Sequence, residues 1–268
     1  IHERAAAQKG RIVLSEGVDE RTIRAARSLI DRKTCAVTVL GPIDEIEKTA
    51  KNVGVPLDGM ELVDPAEHPR REEFAAELHR LREKKGLTRE QANEFVKDVL
   101  ICAALSVRFG EADGTVGGAI HATRDVVRAG LWCLGVQQGI SVVSGSFLMV
   151  VPDYLGTGRE EALYFADSGV VPDPDAEQLA SIAISSAKTY HALTGNEPRV
   201  AMLSFSTKGS ASHPDVDKVI EATDRVRQAD PSLLVDGELQ ADAALIESVG
   251  KSKAPGSPVA GRANVLIF

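Results

Sequence analysis

The apolar positions of this chain change period repeatedly, and each change marks an element. Arg11-Ile12-Val13-Leu14-Ser15 is a short apolar run closed by Glu16-Gly17. From Glu20 to Arg32, Ile23, Ala26, Leu29 and Ile30 fall at helical spacing. Ala36–Leu40 reads as a second strand ended by Gly41-Pro42, Ile43–Val53 as a second helix, and Glu61–Val63 as a third strand. This start predicts a parallel sheet with right-handed crossovers. Arg70–Lys85 follows as a highly charged helix with Phe74, Leu78 and Leu81 on one face, the rest of it a solvated surface. Thr88 caps another helix, whose apolar part runs from Phe95 to Val107. A strand from Ala112 then merges into the glycine-rich turn at Gly117-Gly118.

The second half repeats the alternation. Ser141–Val151 reads as a buried strand interrupted by Ser144-Gly145-Ser146, and Ala162–Ala166 as another strand. Helices are predicted over Asp175–Leu193, Asp215–Ala229 and Leu239–Val249, with strands at Arg199–Phe205 and Leu233–Val235. Lys251–Gly261 holds two prolines and two glycines and is expected to be a loop. Asn264–Phe268 reads as a final strand. A domain boundary is placed near residues 135–145, giving α/β domains over 1–139 and 140–268.

Composition narrows the function classes. Of 268 residues, 43% are hydrophobic and 26% charged, as expected for a soluble protein with a sizeable core. The net charge of −8 weighs against nucleic-acid or membrane partners, so any anionic ligand must be held by local cations. Aromatic residues are only 4%, too few for base-stacking platforms. Cys35, Cys102 and Cys133 form an odd set without a CxxC pair, which argues against a disulfide framework or a structural metal. No apolar run approaches the roughly 18–20 residues of a membrane span. Ile1-His2-Glu3-Arg4 carries neither an initiator methionine nor a signal-type apolar region, so a cytoplasmic location is expected. The abrupt apolar ending at Phe268 suggests that a longer protein is only partly represented.

Two segments carry candidate chemistry. In the first, the strand Val200-Ala201-Met202-Leu203 feeds Ser204-Phe205-Ser206-Thr207-Lys208-Gly209-Ser210, and a helix follows. Loops beyond the carboxyl ends of strands collect ligands in open α/β sheets, and a helix start favours anions. Ser206, Thr207, Lys208 and Ser210 offer donors to a phosphate; equally, Ser212 or Asp215 simply starts the next helix. It is not a Walker A loop, because the lysine precedes the glycine.

The second segment runs from Gly117 to Arg128. Its two glycines permit close backbone approach, and Thr123 is expected to cap a helix. Arg124 and Arg128 lie four apart on one helical face, where they meet either phosphate or solvent. His121 reads more readily as a hydrogen-bonded turn residue than as a base. Asp173, Asp175 and Glu177 suit a helix start rather than a metal. Gly156-Thr157-Gly158 lacks the third glycine of a dinucleotide fingerprint. Asp236-Gly237-Glu238 either orients a ligand or forms a plain turn before a helix.

The chain resembles the phosphotransacetylase (phosphate acetyltransferase) family along essentially its whole length. The resemblance is carried by Val200–Ser210, Leu234–Ala243, Lys253–Ser257 and Ala263–Phe268. Ile12–Arg21, Ala112-Asp113-Gly114 with Gly118 and His121, and Tyr164–Asp167 extend it. It implies two three-layer α/β domains with a cleft between them, as in isocitrate and isopropylmalate dehydrogenases, paired into a homodimer. The implied reaction is acetyl transfer between acetyl phosphate and coenzyme A, giving acetyl-CoA and orthophosphate. No metal or bound cofactor is implied, coenzyme A being a substrate.

By the same resemblance Arg128 contacts the phosphoryl or CoA end, and Ser206, Thr207, Lys208, Gly209 and Ser210 belong to the loop bordering the substrate. The family's aspartate base and serine–arginine pair would follow Phe268, so no catalytic base is assigned within this chain. Asn93 stands where the family usually carries another substrate arginine. Two other readings remain. One is phosphate butyryl transfer. The other is a non-catalytic acyl-CoA-sensing or oligomerisation domain like that fused to some malic enzymes.

Overall fold

The elements form where side-chain period and capping dictate, and they gather into two compact units, one ending at Gly135 and the other starting at Val136. The structure is a computed structural model and describes residues 2–268. In the first unit, α1 (His2–Gln8) leads to β1 (Arg11–Leu14), α2 (Glu20–Asp31), β2 (Ala36–Leu40), α3 (Ile43–Val53) and β3 (Met60–Val63). Then come α4 (Arg71–Arg82), α5 (Arg89–Phe95), α6 (Val99–Arg108), β4 (Gly114–Val116) and α7 (Thr123–Cys133). The four strands are parallel in the order β3-β2-β1-β4, with Ile12 opposite both Val37 and Gly114.

Helices cover both faces of this sheet. Ile23 and Ala26 of α2 and Ile46 and Ala50 of α3 are buried with Leu14, Val37 and Val39. On the other face Phe74, Leu78, Ile101, Leu105 and Ala129 pack around Val13 and Leu40. The single helix expected after Thr88 is two, α5 and α6. Asp98 starts the second by accepting the N–H groups of Leu100 and Ile101 at 2.9 and 3.1 Å. Thr123 is the first helical residue of α7, not its cap, which is Ala122.

The second unit contains β5 (Ser146–Val151), β6 (Glu161–Ala166), α8 (Ala176–Thr194), β7 (Arg199–Leu203) and α9 (Pro214–Ala229). It continues with β8 (Leu234–Leu239), α10 (Ala241–Leu245), α11 (Glu247–Lys253) and β9 (Val265–Ile267). The strand order is β5-β6-β9-β7-β8, and only β5 runs antiparallel. Leu179, Ile182 and Tyr190 of α8 and Ala222 and Val226 of α9 fill one face against Val200, Met202, Val265 and Ile267. Ala244 of α10, with Ala254 and Val259 beyond α11, covers Ala201, Leu203, Leu239 and Leu266 on the other. Each unit is thus a three-layer α/β arrangement, as predicted.

Three expectations in this unit are corrected. The apolar run Ser141–Val151 is not a buried strand: β5 starts at Ser146 and forms the sheet edge, leaving Phe147, Met149 and Val150 exposed. An apolar run has no period that distinguishes an edge from a centre. Leu239 belongs to β8 and is fully buried, so no helix starts there. The expected helix is divided at Ile246, whose extended backbone ends α10 and opens α11, and α11 takes Lys251–Lys253 out of the expected loop. Among the described residues no helix is long and apolar enough to cross a membrane.

Candidate active site

In the second unit, β6, β9, β7 and β8 are parallel, so their carboxyl ends share one edge of the sheet, where ligands of such sheets bind. The segment after Leu203 lies at this edge, and it folds around a carboxylate. Glu238 is 2% exposed, and its Oε1 accepts the Ser206 hydroxyl at 2.9 Å and the Gly209 N–H at 2.7 Å. Ser206 Oγ in turn accepts the Ala211 N–H at 3.1 Å, and Ser210 Oγ accepts that of Thr207 at 3.0 Å. Thr207 Oγ1 accepts the Gln240 N–H at 2.8 Å. Lys208 has a left-handed backbone, φ 49°, which a non-glycine residue holds only when its surroundings fix it. Its ammonium does so by donating to Asp236 Oδ1 at 2.5 Å and to the Gly237 carbonyl at 2.9 Å.

Asp236, 3% exposed, also receives Arg227 Nη2 at 2.8 Å. Burial alone would raise its pKa, but hydrogen bonds from Lys208 and Ser257 and the lysine's charge hold it below the usual carboxylate range. The plain-turn reading of Asp236-Gly237-Glu238 is therefore corrected: all three lie in β8 and organise the neighbouring loop. Of the donors that the sequence offers to a phosphate, those of Ser206 and Lys208 are turned toward these carboxylates, as is the Gly209 N–H. Neither Ser212 nor Asp215 caps α9; the His213 ring does, accepting the Asp215 N–H at 3.2 Å. Ser206→Ala removes one donor and one acceptor from this buried arrangement. It is expected to lower stability by about 1–2 kcal/mol in thermal denaturation.

The first unit uses the same device. The chain passes from β1 through β2 to β3 and returns to β4 on the other side of β1, so the strand order reverses between β1 and β4. Such a reversal opens a crevice. Glu16, at the end of β1 and 3% exposed, accepts four backbone N–H groups of the turn after β4. Those of Gly118 and Ala119 reach Oε2 at 2.8 and 2.6 Å, and those of Ile120 and His121 reach Oε1 at 3.0 and 2.9 Å. His121 Nδ1 adds a fifth contact at 2.7 Å. Burial opposes ionisation of Glu16, yet the Ile120, His121 and Ala119 hydrogen bonds outweigh it and hold the pKa at about 2. Gly117 makes the close approach possible, since a Cβ there would lie 2.4 Å from Ser15 Oγ. The approach expected of this glycine is thus to the protein itself.

Arg124 and Arg128 follow on α7. Arg124 is 87% exposed and lies 3.9 Å from Asp125, which is also the partner of Arg128 Nη2 at 3.1 Å. The Arg128 guanidinium lies 5.7 Å from the centre of the Trp132 ring, and more than half of its side chain is exposed. Exposed pairs of this kind contribute little, so Arg128 can exchange Asp125 for a better anion. Five of the six sequence-predicted binding residues therefore share the loop of the second unit, and Arg128 belongs to the first. Asn93 donates to the Arg89 carbonyl at 3.1 Å on the exposed side of α5.

The sequence marks Asp236-Gly237-Glu238 but does not show that carboxylates hold the loops. Besides Glu16 and Glu238, Asp167 at the end of β6 accepts the N–H groups of Gly145, Val170 and Val171 at 2.5, 2.7 and 2.8 Å. The available signal was an acidic residue at a strand end beside a glycine, as in Glu16-Gly17 and Gly237-Glu238. Among the described residues no cluster of three or more His, Cys, Asp or Glu is arranged for a metal ion. Burial pushes the thiols of Cys102 and Cys133 up to about 12 and raises that of Cys35, so none is a ready nucleophile at neutral pH.

Comparison with known proteins agrees with this architecture. The profile of the family described as Phosphate acetyl/butaryl transferase matches residues 1–268. A phosphate acetyltransferase from Thermoanaerobacterium thermosaccharolyticum is 46% identical over 268 residues, which are 100% of this chain and 81% of that protein. A phosphotransacetylase from Streptococcus pyogenes superposes with a TM-score of 0.91 at 37% identity, over 100% of this chain and 79% of the other. A EutD phosphotransacetylase from Staphylococcus aureus gives 0.89, also at 37% identity, over 99% and 79%. The chain belongs to the family of phosphate acetyl- and butyryltransferases, enzymes of the acyltransferase class.

Proposed function

We propose that this chain transfers an acetyl group between acetyl phosphate and coenzyme A, giving acetyl-CoA and orthophosphate by direct attack of the thiolate. The supporting observation is the 46% identity, over every residue of this chain, to a protein named as a phosphate acetyltransferase. A thiol like that of coenzyme A has an ordinary pKa near 8.5, so at neutral pH a positioned proton acceptor is needed. The thiolate attacks the acetyl carbonyl, the bond from the carbonyl carbon to the phosphate oxygen breaks, and orthophosphate leaves. Charge developing on the departing phosphate is met by cationic donors, the role given to Arg128. The Ser206–Ser210 loop borders the substrate; with its donors held by Glu238 and Asp236, it supplies shape rather than a phosphate cradle. The raised cysteine thiols favour direct transfer over an acyl-cysteine intermediate. The reaction uses no bound cofactor, and the protein works as a cytoplasmic homodimer.

The family description also includes butyryl transfer, so the acyl chain is the point to test. With acetyl phosphate and butyryl phosphate competing for CoA, thioester products separated by chromatography are expected to be predominantly acetyl-CoA. Predominant butyryl-CoA would move the assignment to butyryltransferase, and no thioester from either would overturn acyl transfer.

A further inference from the structure

The Glu16–His121 pair has a geometry that a turn-stabilising contact does not require. A carboxylate held at about 2 carries no proton at neutral pH, so the 2.7 Å contact with His121 Nδ1 must be donated by the ring. That fixes the ring's orientation and leaves Nε2 as its outward atom. Four backbone N–H groups already secure the turn, yet the ring is oriented in addition and remains about one-third exposed. Nε2 makes no hydrogen bond among the described residues. The ring lies where the strand order reverses between β1 and β4, and the helix after it carries Arg128. A ring with a buried carboxylate behind it can become an imidazolium whose charge is compensated on one side and offered on the other.

We propose that His121 binds the phosphoryl group of the substrate, its Nε2–H donating to a phosphoryl oxygen while Glu16 balances the positive charge of the ring. This rests on the acyl-phosphate reading above and adds to it a substrate-binding residue. Glu16 is the charged group in contact with the ring. The segments on either side of it in the fold carry Asp19 and Arg21, after β1, and Arg124, Asp125 and Arg128, on α7. Arg21 is occupied, pairing with Asp19 at 2.9 Å and donating to the Ala119 carbonyl at 2.5 Å. Arg124 and Arg128 share Asp125. Bound phosphate would accept from His121 Nε2–H, and the ring's proton would be held more tightly as a result.

The test is nuclear magnetic resonance of the 15N-labelled full chain, following the ring nitrogens of its six histidines with and without orthophosphate. His121 is assigned by the spectrum of His121→Gln. Saturating orthophosphate is expected to raise the midpoint of the His121 titration by about one pH unit, a tenfold tighter hold on the proton. The histidines outside the crevice serve as internal controls. An unmoved His121 titration at phosphate concentrations that inhibit turnover overturns the proposal.

Kinetics separate this outcome from the functional reading. His121→Gln is expected to raise KM for acetyl phosphate about tenfold, the loss of one charge-assisted bond, and to leave KM for coenzyme A within about twofold. If the wild type turns over and neither constant moves, His121 is excluded and the acyltransferase reading stands. If the wild type turns over no acyl phosphate, that reading falls, and the phosphate effect on the wild-type ring still decides whether His121 binds the anion.

Discussion

Replacing Glu16 by alanine is expected to lower the stability of the first unit by about 3 kcal/mol at neutral pH. A carboxyl held at about 2 against an ordinary 4.5 is bound that much more favourably in its ionised form by the folded state. Its four N–H partners all belong to the turn between β4 and α7, so alanine leaves that turn without its acceptor. Glutamine does not rescue it: one amide oxygen can serve two of the donors, but the amide nitrogen would face the other two. The depressed pKa sets the sign of the pH dependence. The contribution is full above about 4.5 and is lost as the pH falls toward 2. Thermal denaturation should therefore show the largest gap between wild type and Glu16→Ala near neutrality, narrowing below pH 4.5. Hydrogen exchange at residues 118–121 should accelerate in the variant. A gap that does not change with pH would mean that the ionised carboxylate is not what holds the turn.

Arg128→Ala should act on activity and leave the fold alone. The side chain is more than half exposed, and its ionic partner is Asp125, three residues earlier on the same helix, so its loss should change stability by no more than about 0.5 kcal/mol. At a phosphoryl group the same guanidinium can donate twice to one face, and losing two charge-assisted bonds is worth about 3 kcal/mol. The expected result is a fall of about 100-fold in kcat/KM for acetyl phosphate. Arg128→Lys should recover part of it through charge without the paired geometry. An apparent affinity for acetyl phosphate equal to that of the wild type would remove Arg128 from the substrate site.

Much of the fold was legible because period and punctuation agree. Ala36–Leu40 and Ile43–Val53 form the strand and helix expected, residue for residue, since glycine and proline separate them and each has a clean repeat. Failures cluster where the local signal is ambiguous. Apolar residues 146–151 could not reveal that they lie at an edge, because burial is decided by a neighbour that the segment does not encode. Leu239 begins an apparently helical stretch but completes a buried strand, and the tertiary cover over its sheet face prevails over local period. At the candidate site the sequence pointed to both loops but not to the carboxylates that engage their donors. Hydroxyls, glycines and a lysine signal that an anion is near; they do not say whether it is a ligand or Glu238. That distinction depends on which strands become neighbours, and residues 206 and 238 meet only because β7 and β8 pair.

The position of β9 has a consequence for how the second unit comes into being. This strand enters the chain after β8, yet it fills the gap between β6 and β7. Until residues 265–267 are available, β5–β6 and β7–β8 have no strand joining them, whereas β1–β4 of the first unit are all present by residue 116. Pairings so distant in sequence form late and slowly. A ribosome making this protein would release the four paired strands β1–β4 first, then carry two unjoined strand pairs with open inner edges until one short segment joins them into a sheet.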